Sequence, residues 1–313
     1  MEKSAPIVSV IMPMRNAEAY VSQGVNSILS QSYYELELLA IDDQSTDQSR
    51  PIVEDILSRD SRIKLLNGEG KGIAAAKNRG LEYASGEIVM FCDSDDYFTD
   101  SRIANQVNWL NQHPSAGAVC ASFAMTDHRG KNRADLPTGS QACEITEELL
   151  AGKTRTHLCT FAIRSRFIEL IAGFREFFVS AEDIDFQLRL AEVCNVFYEP
   201  TVIYHYRLHD SSIVHTQAST KRVFYEETAR IFRHQRAKRG EDDLQAGSPP
   251  SVPEGLGQTV NPKVQLQGAL IGSAWHLHKQ GKKLEAIKNG IRACLMNPIN
   301  LIAWKSFFML FIK

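Results

Sequence analysis

Four residues, Asp93-Ser94-Asp95-Asp96, stand directly behind the apolar run Ile88-Val89-Met90-Phe91-Cys92. The run reads as a buried strand whose end delivers three carboxylates to the edge of a sheet, where open α/β sheets carry their chemistry. Carboxylates this close repel one another, and a hard divalent cation bound through oxygen relieves the repulsion. The pattern points to metal-assisted handling of a phosphorylated substrate. Asp and Ser also serve turns and helix caps, and Asp100-Ser101 precedes a helical spacing through Ile103, Val107 and Leu110, so the cluster alone also fits a plain loop.

The elements needed to position this cluster alternate along the chain. Residues 7–12 read as a strand broken by Pro13, with Asn16 placed to cap a helix whose Val21, Val25, Ile28 and Leu29 share one face. A second strand, residues 36–41, ends in Asp42-Asp43 and leads through Gln44-Ser45-Thr46-Asp47 to a helix carrying Ile52, Val53, Ile56 and Leu57. A third, residues 63–66, precedes Gly68-Glu69-Gly70-Lys71-Gly72 and a helix over residues 73–84. The glycine run has neither dinucleotide nor Gly-Lys-Ser/Thr spacing and reads as a turn, from which Lys71, or Lys77 beyond it, could meet a phosphate. Alternating strands and helices predict an α/β fold with a largely parallel sheet. Acidic residues then stand at two successive strand ends, on one carboxyl edge.

A chain of 313 residues has room for one large domain and an appendage, and a net charge of −2 gives no global reason to expect a nucleic-acid partner. Six cysteines without a C-x-x-C pair fit reduced thiols and a cytoplasmic setting, and the first residues fit neither a signal peptide nor a membrane span. Pro249-Pro250 and Pro253 mark residues 240–262 as a linker or an ordered, irregular wrap. Beyond it, Ala269, Trp275, Leu277, Gly281, Ala286, Ile287, Ala293, Leu295, Asn297-Pro298 and Trp304 resemble one tetratricopeptide-like helical hairpin. The expected organisation is a catalytic domain over residues 1–239, the linker, and a helical segment over residues 263–313. One hairpin cannot bury its own faces, so it should pack on the catalytic domain, on a second copy in a homo-oligomer, or on another protein. Residues 301–312 are too few to span a bilayer. Trp304, Phe307, Phe308 and Phe311 with Lys305 and Lys313 fit a membrane interface, or a terminal helix packed on the protein.

Residues 8–16 (VSVIMPMRN), residues 41–47 (IDDQSTD), and the stretch from Gly72 to Gly80 through Ala84-Ser85-Gly86-Glu87 to Asp93-Ser94-Asp95-Asp96 resemble the family 2 glycosyltransferases, over about residues 7 to 212. The resemblance implies a GT-A fold, with a Rossmann-like, mixed and mostly parallel sheet, and inverting sugar transfer from a nucleotide diphosphate, here a UDP-sugar. It also implies that Pro13, Asn16, Asp42 and Asp43 line the base and ribose pocket, with Arg15 and Ser94 also on the nucleotide sugar. Asp42 or Asp43 could accept hydrogen bonds from a base N–H or ribose hydroxyls. Asp93 and Asp95 would hold Mn2+ or Mg2+ and the donor diphosphate. Lys77 stands where the family usually has Arg, a point charge in place of a bidentate fork.

Ala181-Glu182-Asp183-Ile184-Asp185 resembles the segment carrying the family's catalytic base. Asp183 is then the base, with Glu182 orienting it or binding the acceptor; both carboxylates also suit a helix N-terminus for its dipole alone. His205-Tyr206-Arg207-Leu208-His209 with Ser211-Ser212 resembles the segment after the last core strand, where Arg207 and His209 reach the diphosphate, although its alternation also fits a plain edge strand. His215 reads as an ordinary surface residue. Gly173-Phe174-Arg175-Glu176 resembles a connecting loop, and residues 127–133 read as a polar loop in a stretch, residues 126–160, expected to set acceptor choice.

The implied acceptor is a saccharide or lipid-linked sugar in surface polysaccharide or glycolipid synthesis, with the protein cytoplasmic and peripheral on the inner membrane face. One alternative is a nucleotidyltransferase, which would normally carry a glycine-rich basic loop where Pro13-Met14-Arg15-Asn16 stands. The other is a non-catalytic scaffold binding a nucleotide sugar or protein partners.

Overall fold

The computed structural model describes residues 6–136, 138–209, 219–253, 262–279 and 281–311. The first half runs β1 (Val8–Met14), α1 (Val21–Leu29), β2 (Leu36–Asp42), α2 (Ser49–Leu57), β3 (Ile63–Asn67), α3 (Ile73–Tyr83), β4 (Ile88–Phe91), β5 (Tyr97–Phe98) and α4 (Arg102–Gln112). Then follow β6 (Ala116–Thr126), β7 (Asn132–Leu136), β8 (Cys143–Glu144), α5 (Thr146–Leu150), β9 (Ala162–Arg164), α6 (Ser165–Leu170), α7 (Glu182–Ala191) and β10 (Asn195–Arg207). Helices α8 (Ser219–Arg239), α9 (Pro262–Lys279), α10 (Lys283–Met296) and α11 (Leu301–Met309) complete the chain.

Every residue of β1, β2, β4 and β6 is buried, as expected of strands covered on both faces. The strands form one mixed sheet in the order β3-β2-β1-β4-β9-β6-β10-β5, with β7 beside β6 and β8 beside β10. Pairing is parallel through β3, β2, β1 and β4 and again between β6 and β10. Short β9 joins the two parallel blocks, antiparallel to both β4 and β6. The strand order reverses at β1, so the carboxyl ends of β1, β2 and β4 open on one crevice.

Several expectations need correction. Pro13 does not end the first strand but pairs in register with Ile41 of β2. It is tolerated because pairing with β4 stops at Ile11 and Phe91, so on that side no ladder bond needs its missing N–H. Asn16 is not the cap of α1, which begins behind Tyr20. The last core strand is not an edge: β10 lies between β6 and β5. Residues 127–131 close a β6–β7 hairpin, with the Asp127 carboxylate accepting the backbone N–H groups of Arg129 and Lys131, each at 3.0 Å.

Residues 240–253 wrap the body instead of linking away from it. Asp242 is fully buried and accepts from Arg175 Nη1 at 2.6 Å, while Arg236 of α8 pairs with the same carboxylate. Among its described residues the C-terminal segment has three helices, more than one hairpin. Gln267 Nε2 of α9 donates to Ala293 O of α10 at 2.8 Å, Trp275 Nε1 donates to Ser306 Oγ of α11 at 2.7 Å, and Ser273 Oγ reaches Asp135 O of β7 at 3.4 Å. The segment thus packs on the α/β body through α9.

Candidate active site

The carboxylate loop behind β4 is held from two sides. From β10, Tyr204 Oη donates to Asp96 Oδ2 at 2.7 Å and accepts the Asp93 N–H at 3.2 Å, and the Arg207 N–H donates to Asp96 Oδ1 at 2.7 Å. From below, α1 presents Gly24, where an added Cβ would lie 2.9 Å from Asp96 O. No side chain fits there, so glycine lets the helix backbone approach the loop.

Arg207 is 2% exposed and fully engaged within the protein, donating through Nε to Asp95 O at 2.7 Å, through Nη1 to His128 O at 3.2 Å and through Nη2 to Gln23 Oε1 at 2.6 Å. In this structure Arg207 fixes the backbone of the acidic loop. His209 Nε2 sits 2.9 Å from Asp95 Oδ2, its ring against Tyr20 at 4.6 Å. Ser211, Ser212 and His215 lie outside the described residues.

A second group of charges meets the loop from α3 and α7. Lys77 is 2% exposed and donates to Glu182 Oε1 at 2.9 Å. Burial works against its ammonium, but Glu182, Asp93 and Asp183 outweigh burial and hold Lys77 above the usual lysine range. A lysine so enclosed acts as a counter-ion within the protein, and Glu182 is its partner. Asp183, half-buried at the start of α7, is pushed up by burial, with Lys77 and Arg222 pulling it down and Asp93 pushing it further up. Ala181, just before it, has φ 59°, a left-handed conformation that costs a non-glycine residue about 1–3 kcal/mol and here aims Glu182 and Asp183 from the first turn.

The other side of the crevice is built at the ends of β1 and β2. Asp43 accepts the Gly70 N–H at 2.7 Å through Oδ1 and the Gly72 N–H at 3.1 Å through Oδ2, so the glycine loop closes around this carboxylate. Gly70 has φ 72° and a Cβ there would lie 2.5 Å from Gln44 Oε1, so the loop requires glycine. Asp42 accepts the Ser45 N–H at 3.1 Å and pairs with Arg50 at 3.3 Å. Asn16, at φ 52°, accepts the Thr46 N–H at 2.8 Å, tying the β1 loop to the β2 loop. Pro13 is buried, Arg15 is exposed, Ser94 is 9% exposed, and exposed Lys71 pairs with Glu69.

Among the described residues no three acid, His or Cys side chains already stand at metal-holding distance. The donors that fit a hard cation are Asp93 and Asp95. Asp93 Oδ1 is buried without a hydrogen-bond partner in the described structure. The Asp93 carboxyl is pushed up by burial, pulled down by Lys77 and pushed up again by Asp95. An uncompensated buried oxygen beside a second, half-buried carboxylate is a fitting cation donor.

Sequence reasoning missed Tyr204, Cys159 and His157. Cys159 Sγ lies 3.3 Å from Asp93 Oδ2, and His157, pushed down to about 4 by burial, stays neutral against the Tyr206 ring. Alternation marks Tyr204 as inward, but no local signal joins it to a carboxylate 108 positions earlier. A groove of about 1330 Å3 opens between α1 and α2, lined by Asn26, Pro51, Asp55 and Arg59, and none of Asp93, Asp95 and Asp183 lines it.

The fold is that of the GT-A glycosyltransferases: S. aureus TarS 1–349, solved with UDP-GlcNAc, superposes with a TM-score of 0.58 at 18% identity over 97% of this chain and 90% of that one. The chain itself belongs to glycosyl transferase family 2, whose model matches residues 9–178. It is 45% identical over 137 residues to an uncharacterized glycosyltransferase of Haemophilus influenzae, covering 44% of this chain and 54% of that protein. It is 44% identical over 105 residues to the Escherichia coli UDP-Glc:alpha-D-GlcNAc-diphosphoundecaprenol beta-1,3-glucosyltransferase WfgD, covering 33% of this chain and 41% of the relative. The chain thus spans about half the length of these two curated relatives.

Proposed function

We propose that the protein is an inverting glycosyltransferase that moves a sugar from a UDP-sugar to a saccharide or lipid-linked acceptor in surface polysaccharide or glycolipid synthesis. The observation that carries this reading is the convergence on one sheet edge of Asp93, Asp95 and Asp183, with buried Lys77 as the shared counter-charge. The UDP-Glc and diphosphoundecaprenol in the name of the E. coli relative and the UDP-GlcNAc bound to TarS support the donor and acceptor classes.

In this reading Pro13, Asn16 and the Asp42-Asp43 pair shape the base and ribose pocket, with Arg15 at its rim, and Asp93 and Asp95 hold the Mn2+ or Mg2+. Bound there, the ion would offset charge developing on the leaving diphosphate. His209 and Arg207 keep Asp95 in place through its carboxylate and its backbone. Asp183 takes the proton from the attacking acceptor hydroxyl, and burial raises its affinity for that proton. Lys77 neutralises Glu182 and keeps an ammonium beside Asp93 and Asp183, so that three acids can share one small volume. Residues 1–253 form the catalytic unit, and the C-terminal helices provide peripheral contact at the inner membrane face.

The test is Asp183→Asn assayed with UDP-sugars and a lipid-linked acceptor mixture. Transfer should fall by about 100-fold or more while UDP binding persists. Undiminished transfer removes Asp183 from the mechanism.

A further inference from the structure

Helices α10 and α11 leave a set of large apolar side chains exposed, while Leu310 at the end of α11 is buried. The buried face of α10 is made of small residues, Ala286, Gly290, Ala293 and Cys294. Phe307 of α11 packs so closely over Gly290 that a Cβ there would lie 2.5 Å from its ring, so this phenylalanine, expected at an interface, is turned inward. The opposite stripe of α10, Leu284, Lys288, Ile291 and Leu295, recurs at helical spacing and is exposed, Leu284 to 84% and Leu295 to 66%. Helix α11 repeats the arrangement with Leu301, Lys305 and Phe308, and Ile302 beside them is 77% exposed. Exposed apolar side chains grouped in this way mark an interaction surface.

Charge decides the occupant. Residues 262–313 contain eight lysines and arginines and a single acid, Glu285, so on a chain of net charge −2 the preceding 261 residues carry a net −9. Lys282, Lys283 and Arg292 are exposed around the stripes. Each apolar stripe also carries a lysine in its middle. A dry protein interface would strip that ammonium of water, and lysine is accordingly depleted from interface cores. A layer of lipid headgroups instead meets it with phosphate while the side chain's methylenes stay among apolar groups. No helix among the described residues is long and apolar enough to cross a membrane.

We propose that α10 and α11 form a docking surface for an anionic lipid bilayer, with Leu301, Ile302 and Phe308 entering the headgroup layer and Lys288 and Lys305 meeting lipid phosphates. The surface rests on the peripheral-contact reading above and on no residue of the donor site.

The experiment is co-sedimentation of the full chain with phosphatidylcholine vesicles, with and without phosphatidylglycerol, at about 0.1 M and about 1 M salt. The full chain should pellet with the phosphatidylglycerol vesicles at low salt, and release as salt rises. Ile302→Ser with Phe308→Ser should weaken this binding by about tenfold or more. Lys288→Glu with Lys305→Glu should do the same. Because the substituted residues are exposed, thermal midpoints should stay near that of the parent chain. Failure to pellet at low salt, binding indifferent to both pairs of substitutions, or self-association in place of vesicle binding would each overturn the proposal. The assay registers no sugar transfer, so this surface and the transferase reading fail separately.

Discussion

Glu182 and Asp183 are neighbours in the chain and do different work. Glu182 is 7% exposed and tied to Lys77, whereas Asp183 is half-buried and is the proposed base. Lys77→Met should therefore cost about 3–5 kcal/mol by leaving Glu182 buried without its counter-ion. The double change Lys77→Met with Glu182→Gln should recover much of that loss in urea melts; an equal loss in both would show that the pair is not coupled. As the proposed base, Asp183 should set the acid limb of activity. A base must be ionised, and burial has raised this carboxyl, so kcat/KM should fall as pH drops through a value above the ordinary carboxylate figure of about 3.9. A pH–rate profile flat down to about 4 would exclude it. Spacing marked the Asp93–Asp96 cluster because it follows an apolar run, whereas Asp183 was singled out through the family resemblance, its place at a helix start fitting the dipole alone. The roles of Arg207, Lys77 and Tyr204 were not legible, since each depends on a partner brought from another part of the fold.

At the scale of elements, close approach and staples fix the site. Gly24 on α1 faces a backbone carbonyl that cannot rotate away, so Gly24→Ala should displace the Asp93–Asp96 loop and lower transfer by about tenfold or more, measured as kcat at saturating donor. Unchanged kcat would mean that the loop tolerates the shift. At the opposite edge, Glu37 of β2 accepts from Ser9 Oγ at 2.6 Å, from the Ser85 N–H at 2.7 Å and from Lys64 Nζ at 2.7 Å, joining β1, β3 and the entry to β4. Burial alone would push Glu37 up; these hydrogen bonds outweigh it and hold the carboxyl at about 2. Its folded pKa lies below the unfolded value of about 4.3. The stability it adds, about 2 kcal/mol, is therefore full above pH about 4.3 and disappears as pH falls toward 2. Denaturant melts should show this loss for the parent chain and not for Glu37→Gln. The βα units up to β4 were legible because apolar runs and turn residues alternate. The antiparallel insertion of β9 was not, because three residues, Ala162–Arg164, carry no periodicity. Pro13 misled for a physical reason: the rule against strand prolines lapses where one neighbouring strand has already ended.

Across the whole molecule, an acidic α/β body is joined to a basic helical segment, a division hidden by the overall charge of −2 and visible only when the chain is divided at residue 262. The helical segment was legible from its apolar and small-residue spacing. That α10 buries small residues and leaves Leu284, Ile291 and Leu295 exposed required the fold. Family membership and the sheet place the body among the GT-A glycosyltransferases, and the account stands on the claim that its carboxyl edge binds a nucleotide diphosphate through a cation held by Asp93 and Asp95. The most direct measurement is calorimetric titration of UDP into the full chain and into Asp95→Ala, each with Mn2+ and with EDTA. The account predicts that the full chain binds UDP with Mn2+, that EDTA weakens this by about tenfold or more, and that Asp95→Ala loses the metal-dependent part. Equal affinity in Mn2+ and EDTA, or an Asp95→Ala titration indistinguishable from that of the parent chain, would contradict it.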